Sequence, residues 1–288
     1  MILLDLSQVC ISNLMVQLRT NKNTELDVNF LRHLILNQIR FLNKKFKNEY
    51  GELVICCDSR QYWRKKAFSF YKSRRKTDRE ASGLDWDSIF QALHAIRAEL
   101  KEYFPYRVVE VLEAEADDII ASLCHRFGNL DMNFGEQILI ISGDKDFGQL
   151  QKYSNVSQYN PTSKLNIVVN DPEKFLLDHI IKGDTGDGIP NIFSDDDTLV
   201  TENKRSSPVT VKKMNDIIQR LKTDKLTELE LRNYKRNEEL IDLSKIPYDL
   251  QDKIIEEYDA QVGKGRNKLF NYFIKYKLKN LHESIGEF

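Results

Sequence analysis

The sequence predicts an α/β fold: a mainly parallel central sheet flanked by helices, with a C-terminal all-helical region. Three observations predict it. Five short apolar runs are continuous rather than alternating, as strands buried on both faces are: ILL at 2–4, LVICC at 53–57, RVVEVL at 107–112, QILIIS at 137–142 and LNIVV at 165–169. Segments with helical apolar spacing lie between them, which is the pattern of a doubly wound sheet. Past Asp187 strand-like runs stop and only helical patterns follow. The 288 residues are 41% hydrophobic with 12 Gly and 6 Pro, enough apolar material for a real core and too little Gly and Pro for a fibrous or disordered chain.

The first run closes at Asp5. Its surroundings, MILLDLSQVC, lack the basic segment and cleavage site of a secretory leader, so it reads as a buried strand. Residues 27–46 follow as a helix, with Val28, Leu31, Leu34, Ile35, Ile39, Leu42 and Phe46 on one face. The second run closes at Asp58 and opens onto a basic stretch at about 60–84. A helix over 85–104 starts at an Asp85 cap and carries Ile89, Leu93, Ile96 and Leu100. Shorter helices are expected at 116–127 and 172–182. GDGIPN at 186–191 is turn-rich and 192–208 is polar. Helices are then expected at 209–222, 226–241, 248–259 and 267–281. The division is an α/β domain over 1–183 and a helical region over 184–288. No apolar run approaches the ~18 residues that span a membrane. The four cysteines (Cys10, Cys56, Cys57, Cys124) form no CxxC pair, which points to a reduced, cytoplasmic protein without a zinc site.

Ligands of open parallel sheets bind beyond the carboxyl ends of the strands. Those ends carry acids here: Asp5, Asp58, Asp144 and Asp146, with Glu115, Asp117 and Asp118 just past the third run and Asp184 and Asp187 in the turn near the domain junction. Any one of them could cap a helix or a turn. Acids at four separate strand ends need another explanation. Crowded carboxylates raise each other's pKa and destabilise a fold, and divalent cations with oxygen ligands relieve this. Two ions about 3.5–4 Å apart serve phosphodiester hydrolysis.

The formal net charge of −1 hides a segregation that matters more than the total. Residues 59–79 hold nine Lys and Arg against one acid, interleaved with Tyr62, Trp63, Phe68, Phe70 and Tyr71. Cations neutralise phosphates and aromatic rings stack on unpaired bases, so the segment suits a nucleic-acid strand. Arg60, Arg64, Lys65, Lys72 and Arg75 are the candidates, Lys72 and Arg75 for the reacting phosphate. Lys264, Arg266 and Lys268 belong to a second basic run over 261–280. His33, His94, His125, His179 and His282 are scattered, with no pair at ligand spacing, and read as core or surface residues.

ILIISGDKDFGQL, AEADDI and KGDTGDGIP, together with Asp5 and CCDSRQYWRKKAFSFYKSRR, resemble the structure-specific 5′-nucleases, the family of flap endonucleases and of the 5′-nuclease domain of bacterial DNA polymerase I. The likeness is greatest to the branch of ribonucleases H from T-even bacteriophages and runs through essentially the whole chain. It implies a metal-dependent 5′→3′ exonuclease and flap endonuclease that removes RNA primers and adjoining DNA from lagging-strand fragments. By motif, Asp5, Asp58, Glu115 and Asp117 match the acids of a first Mg²⁺, and Asp144, Asp146, Asp184 and Asp187 those of a second, with Mn²⁺ able to substitute. Asp118 matches the last acid of Glu-Ala-Asp-Asp, an alignment that selects Glu115 over Glu113. Lys72 and Arg75 match the basic residues of the family's helical arch, which the resemblance implies at about 60–84 and through which a 5′ single strand passes in related enzymes.

The same resemblance implies branched or nicked DNA and RNA–DNA hybrid as substrates, a monomer, host cytoplasm, and a single-strand DNA-binding protein or sliding clamp as replisome partners. The family's helix–hairpin–helix is missing, so Ser206, Ser207, Thr210, Lys212 and Lys213 are the candidates for a duplex backbone. The T-even enzymes carry a longer stretch ahead of their first acid than the four residues before Asp5, so contacts made by such a stretch are not expected. Two alternatives remain. Asp144-Lys145-Asp146 superficially fits the nucleophile motif of haloacid-dehalogenase phosphatases, although Ser142-Gly143 separates it from the strand. The other is a non-catalytic scaffold that grips branched DNA.

Overall fold

A computed structural model describes residues 1–20, 27–129, 136–262 and 264–288. In chain order the elements are β1 (Ile2–Asp5), α1 (Leu6–Thr20), α2 (Val28–Tyr50), β2 (Leu53–Cys56), α3 (Trp63–Ala67), α4 (Arg75–Ala81), α5 (Trp86–Tyr103), β3 (Arg107–Val109), α6 (Ala116–Phe127) and β4 (Ile138–Ile141). A 3₁₀ segment, Lys145–Lys152, leads to β5 (Val156–Asn160), β6 (Leu165–Ile167) and α7 (Pro172–Lys182). The rest is helical: α8 (Val211–Lys222), α9 (Glu228–Ile241), α10 (Tyr248–Asp259), α11 (Leu269–Lys275) and α12 (Lys279–His282).

The six strands lie in the order β3-β2-β1-β4-β5-β6. All neighbouring pairs are parallel except β5 with β6. Alternation along each strand divides the core into two layers. Ile2, Leu4, Ile55 and Ile141 face a layer formed with α1, α2 and α5, and Leu3, Val54 and Ile140 face one formed with α6. Sequential strands move outward from β1 in both directions, so the switch point of the sheet is where β2 and β4 flank β1.

The C-terminal helices close both layers. Leu250, Ile254 and Tyr258 of α10 join the α6 side, and Leu269, Tyr272, Phe273 and Phe288 join the α2/α5 side. There Arg32 grips Glu99 through two 2.8 Å bonds, and the Tyr272 hydroxyl donates to the same carboxylate at 2.7 Å. The four cysteines are free and buried, Cys10 and Cys57 in one layer, Cys56 and Cys124 in the other.

The structure corrects four expectations. Of LNIVV only Leu165–Ile167 forms a strand, an antiparallel edge, and Leu165 (66%) and Val168 (76%) are exposed because no further strand pairs with it among the described residues. The fifth parallel strand, beside β4, is instead β5, whose sequence VSQYN alternates and carries polar residues. The helix α1 runs on from β1 without punctuation, its buried Leu6, Val9, Cys10 and Leu14 hidden behind the strand signal. The expected helix 267–281 breaks into two where Lys277 takes φ 55°, a left-handed conformation that stops a helix. Among the described residues no helix is long and apolar enough to cross a membrane.

Candidate active site

The carboxyl ends of β1, β2 and β4 present Asp5, Asp58 and Asp144 side by side. Asp5 is the last residue of β1, held by the Gln8 N–H at 3.0 Å and the Ser142 hydroxyl at 3.2 Å. Asp58, just past β2, accepts the Ala116 N–H at 2.9 Å and so pins the first turn of α6 to the strand ends. That turn delivers Glu115 and Asp117. Asp144 caps the 3₁₀ segment by accepting the Asp146 N–H at 3.0 Å, which aims Asp146 at the same edge. Asp184 and Asp187 arrive on the turn after α7. Asp184 takes the N–H groups of Gly186 and Asp187 at 2.7 and 3.1 Å.

The acids strain one another. Burial and the charges of Asp58 and Asp144 push the Asp5 carboxyl up to about 7. Burial and the charge of Asp144 do the same to Asp146, also to about 7. Asp117 is raised well above the usual range by burial and by Asp144. Asp184 moves the other way against its burial, held down by His179 and Lys145. Asp146 Oδ1 is buried without a hydrogen-bond partner, and so is Nδ1 of His179. Carboxylates this crowded, with a buried acceptor left open, fit a hard divalent cation.

The arch meets the acids through its base. Lys72 pairs with Glu115 and lies 3.5 Å from Asp187, and Arg75 reaches Asp187 at 2.7 Å. The Tyr71 hydroxyl lies 2.9 Å from both Glu115 and Asp187. The Lys72 N–H donates to the Asp187 carbonyl at 2.8 Å. Gly188 has φ +76°, and a Cβ there would lie 2.8 Å from the Phe70 carbonyl, so the turn needs glycine for both conformation and space.

Not every candidate faces the site. Arg64 is 2% exposed; it is ion-paired with Glu115 at 3.0 Å and Asp118 at 2.8 Å and donates to the Leu240 carbonyl, a buried clamp closed to solvent. Asp118, fully buried, accepts from Trp63 and from the Glu115 N–H, and serves the start of α6. Glu113 pairs with Lys66 outside the acid edge, which leaves Glu115 in place. Lys65 is exposed, and Arg60 lies beside His94. Trp63, Phe68 and Tyr71 are buried, so these three rings pack rather than stack on bases. Lys212 and Lys213 are exposed at the start of α8, which Thr210 caps. The ammonium of Lys264 bonds the Lys101 and Tyr106 carbonyls before β3, and Arg266 lies near Lys47 and Tyr106, so this run sits at the opposite end of the sheet.

Two family models match the chain: a 5′-3′ exonuclease N-terminal resolvase-like domain over residues 2–177 and a T4 RNase H C-terminal domain over 170–288. The chain belongs to the 5′-3′ exonuclease family. This exonuclease is 35% identical to the ribonuclease H of Enterobacteria phage T4 over 99% of its own length and 95% of that protein. It is 29% identical to the flap endonuclease Xni of Shewanella pealeana over 62% of its length and 68% of the relative. In fold it is similar to a phage T5 protein crystallised with metal ions, with TM-score 0.63 and 18% identity, covering 91% of this chain and 99% of that one. A T5 flap endonuclease in a pseudo-enzyme–product complex with DNA and metal ions gives TM-score 0.61 at 17% identity, covering 90% and 98%. The exonuclease is therefore a phosphodiester hydrolase of the 5′-3′ exonuclease and flap endonuclease type. The phosphatase reading of Asp144 and Asp146 falls with that assignment.

The residue that sequence reasoning missed is His179 of α7. It is 6% exposed and lies between two site acids, Nε2 at 3.1 Å from Asp184 Oδ2 and Nδ1 at 3.5 Å from Asp146 Oδ1. The available signal was a histidine five residues ahead of an acid across a helix end. A search for paired histidines passes over it.

Proposed function

We propose that the exonuclease removes nucleotides and short flaps from the 5′ ends of branched or nicked DNA and of RNA–DNA hybrids, clearing primers and adjoining DNA from lagging-strand fragments. The observation that carries this is the meeting of one acid edge with the base of a basic arch. Asp5, Asp58, Glu115 and Asp117 would hold one divalent ion, and Asp144, Asp146 and Asp187 would take part in holding a second. Mg²⁺ is the proposed ion, with Mn²⁺ as a substitute. Held by these acids, such ions would supply activation of the attacking water and stabilisation of the leaving oxygen.

The chain's own residues do the positioning. Lys72 and Arg75, paired with Glu115 and Asp187, turn to the scissile phosphate and neutralise it when a strand enters. Tyr71 holds the two acids in register from behind. Arg60 and Lys65 track the incoming single strand. The region after residue 183 binds the duplex, through Lys212 and Lys213 at the start of α8. Binding therefore weakens steeply with salt.

Cleavage of a 5′-labelled flap duplex and of an RNA–DNA hybrid, in Mg²⁺ or EDTA, tests the reading. Wild type should release short 5′ products only with metal. Asp146→Asn should abolish release and leave duplex binding intact. Full activity of Asp146→Asn at limiting Mg²⁺ would remove the second ion from the scheme.

A further inference from the structure

We propose that His179 binds the second divalent ion directly through Nδ1, making that site a mixed nitrogen–oxygen site that prefers Mn²⁺ over Mg²⁺. The inference deepens the metal-dependent reading above and rests on it.

The hydrogen bonds set the imidazole's orientation. Asp184 is already saturated on its other oxygen by Gly186 and Asp187, and its Oδ2 faces both Lys145 at 3.0 Å and His179 Nε2 at 3.1 Å. A carboxylate can only accept, so Nε2 carries the hydrogen and donates. In the neutral ring the lone pair then falls on Nδ1. That nitrogen is buried, makes no hydrogen bond, and points at Asp146 Oδ1, itself buried and without a donor. Two acceptors facing one another at 3.5 Å need a proton or a metal ion between them, and metal binding to such a site displaces the proton. Donors on one ion with bonds of about 2.1 Å stand about 3.0–3.4 Å apart, close to the separation found.

Lys145, the only cation paired with Asp184 among the described residues besides His179, lies on the far partner and does not fill this gap. Asp184 thereby becomes the orienting carboxylate behind a ligating histidine, an arrangement that fixes the tautomer and raises the basicity of the metal-facing nitrogen. Asp146, His179 and Asp184 also form a group whose candidate ligand atoms all lie within 4.8 Å of one another. Imidazole is most at home on Fe, Ni, Cu and Zn. Mn²⁺, the weakest binder of that series, shares the oxygen preference of Mg²⁺ but accepts a nitrogen more readily than Mg²⁺, which gives up its water reluctantly, so one nitrogen in the set biases the choice between the two ions.

The test uses the full chain and Mn²⁺ alone. Pulsed electron paramagnetic resonance of the Mn²⁺-loaded protein should show a directly bound ¹⁴N coupling. Growth on ¹⁵N-histidine should convert it, which assigns it to imidazole without altering the fold. His179→Gln should abolish the coupling and lower the ratio of Mn²⁺ to Mg²⁺ affinity about tenfold, read by competition. Bound Mn²⁺ with no directly bound nitrogen coupling would overturn the role of His179 and leave the carboxylate sites standing. Failure to bind Mn²⁺ at all would overturn both this inference and the metal-dependent reading.

Discussion

At the scale of single residues, environment divides the chain's charged groups into those that hold the fold and those that face the site. Arg64 belongs to the first kind although it sits in the basic arch segment. It neutralises Glu115 and Asp118 from inside, and both carboxylates are buried. Replacing it strands those charges, so Arg64→Ala should cost about 3–5 kcal/mol in urea unfolding. Lys65→Ala, one position on and exposed, should leave stability unchanged within about 0.5 kcal/mol. Equal losses for the two would show that Arg64 is not the clamp. Residue type could not separate these neighbours in the sequence, because burial depends on Leu240 and Glu115, which the fold brings from far along the chain. The acids were legible for the opposite reason: an acid just past an apolar strand has its position set by the strand itself.

Among the elements, the arch base and the turn after α7 behave as one unit. Lys72 N–H binds the Asp187 carbonyl, and Gly188 packs on the Phe70 carbonyl. Gly188→Ala adds a methyl in a left-handed backbone against that carbonyl and should cost about 1–3 kcal/mol. It should also slow flap cleavage, because Lys72 and Arg75 lose their common footing. A variant with wild-type cleavage and wild-type stability would break this coupling. The buried strands β1, β2 and β4 and the capped helices α2 and α5 were readable because periodicity and caps agree locally. The strand β5 was not, since its polar residues are satisfied only by tertiary partners: Gln158 donates to the carbonyls of Ser142 and Asp144. The edge β6 carried a buried-strand signal without a neighbour to bury it.

For the whole molecule, the crowded acids tie stability to pH. Asp5 and Asp146 titrate near 7 in the folded chain, against about 3.9 when unfolded. Between those values the folded state holds protons that the unfolded state has released. Their contribution is therefore greatest below about pH 4 and is lost as pH rises through 7. Asp184, held down in the fold, contributes above about pH 4 and is lost on further acidification. In EDTA the melting temperature should fall from pH 5 to pH 8 as these two acids ionise. With Mg²⁺ the decline should shrink or reverse, since bound metal stabilises the deprotonated site. Parallel melting curves with and without Mg²⁺ would contradict the assignment of these acids to metal.

The pairing of cysteines across the sheet turns the chain into its own two-channel reporter. Cys56 and Cys57 are neighbours in sequence yet project into opposite layers, each with a companion thiol, Cys124 or Cys10. Burial pushes all four thiols up, so a thiol reagent reaches none of them without an opening event. Labelling resolved by mass spectrometry then times the opening of each layer separately. If α11 and α12 peel away before α10, Cys10 and Cys57 should label first, and matched rates for both pairs would mean that the two halves of the core give way together.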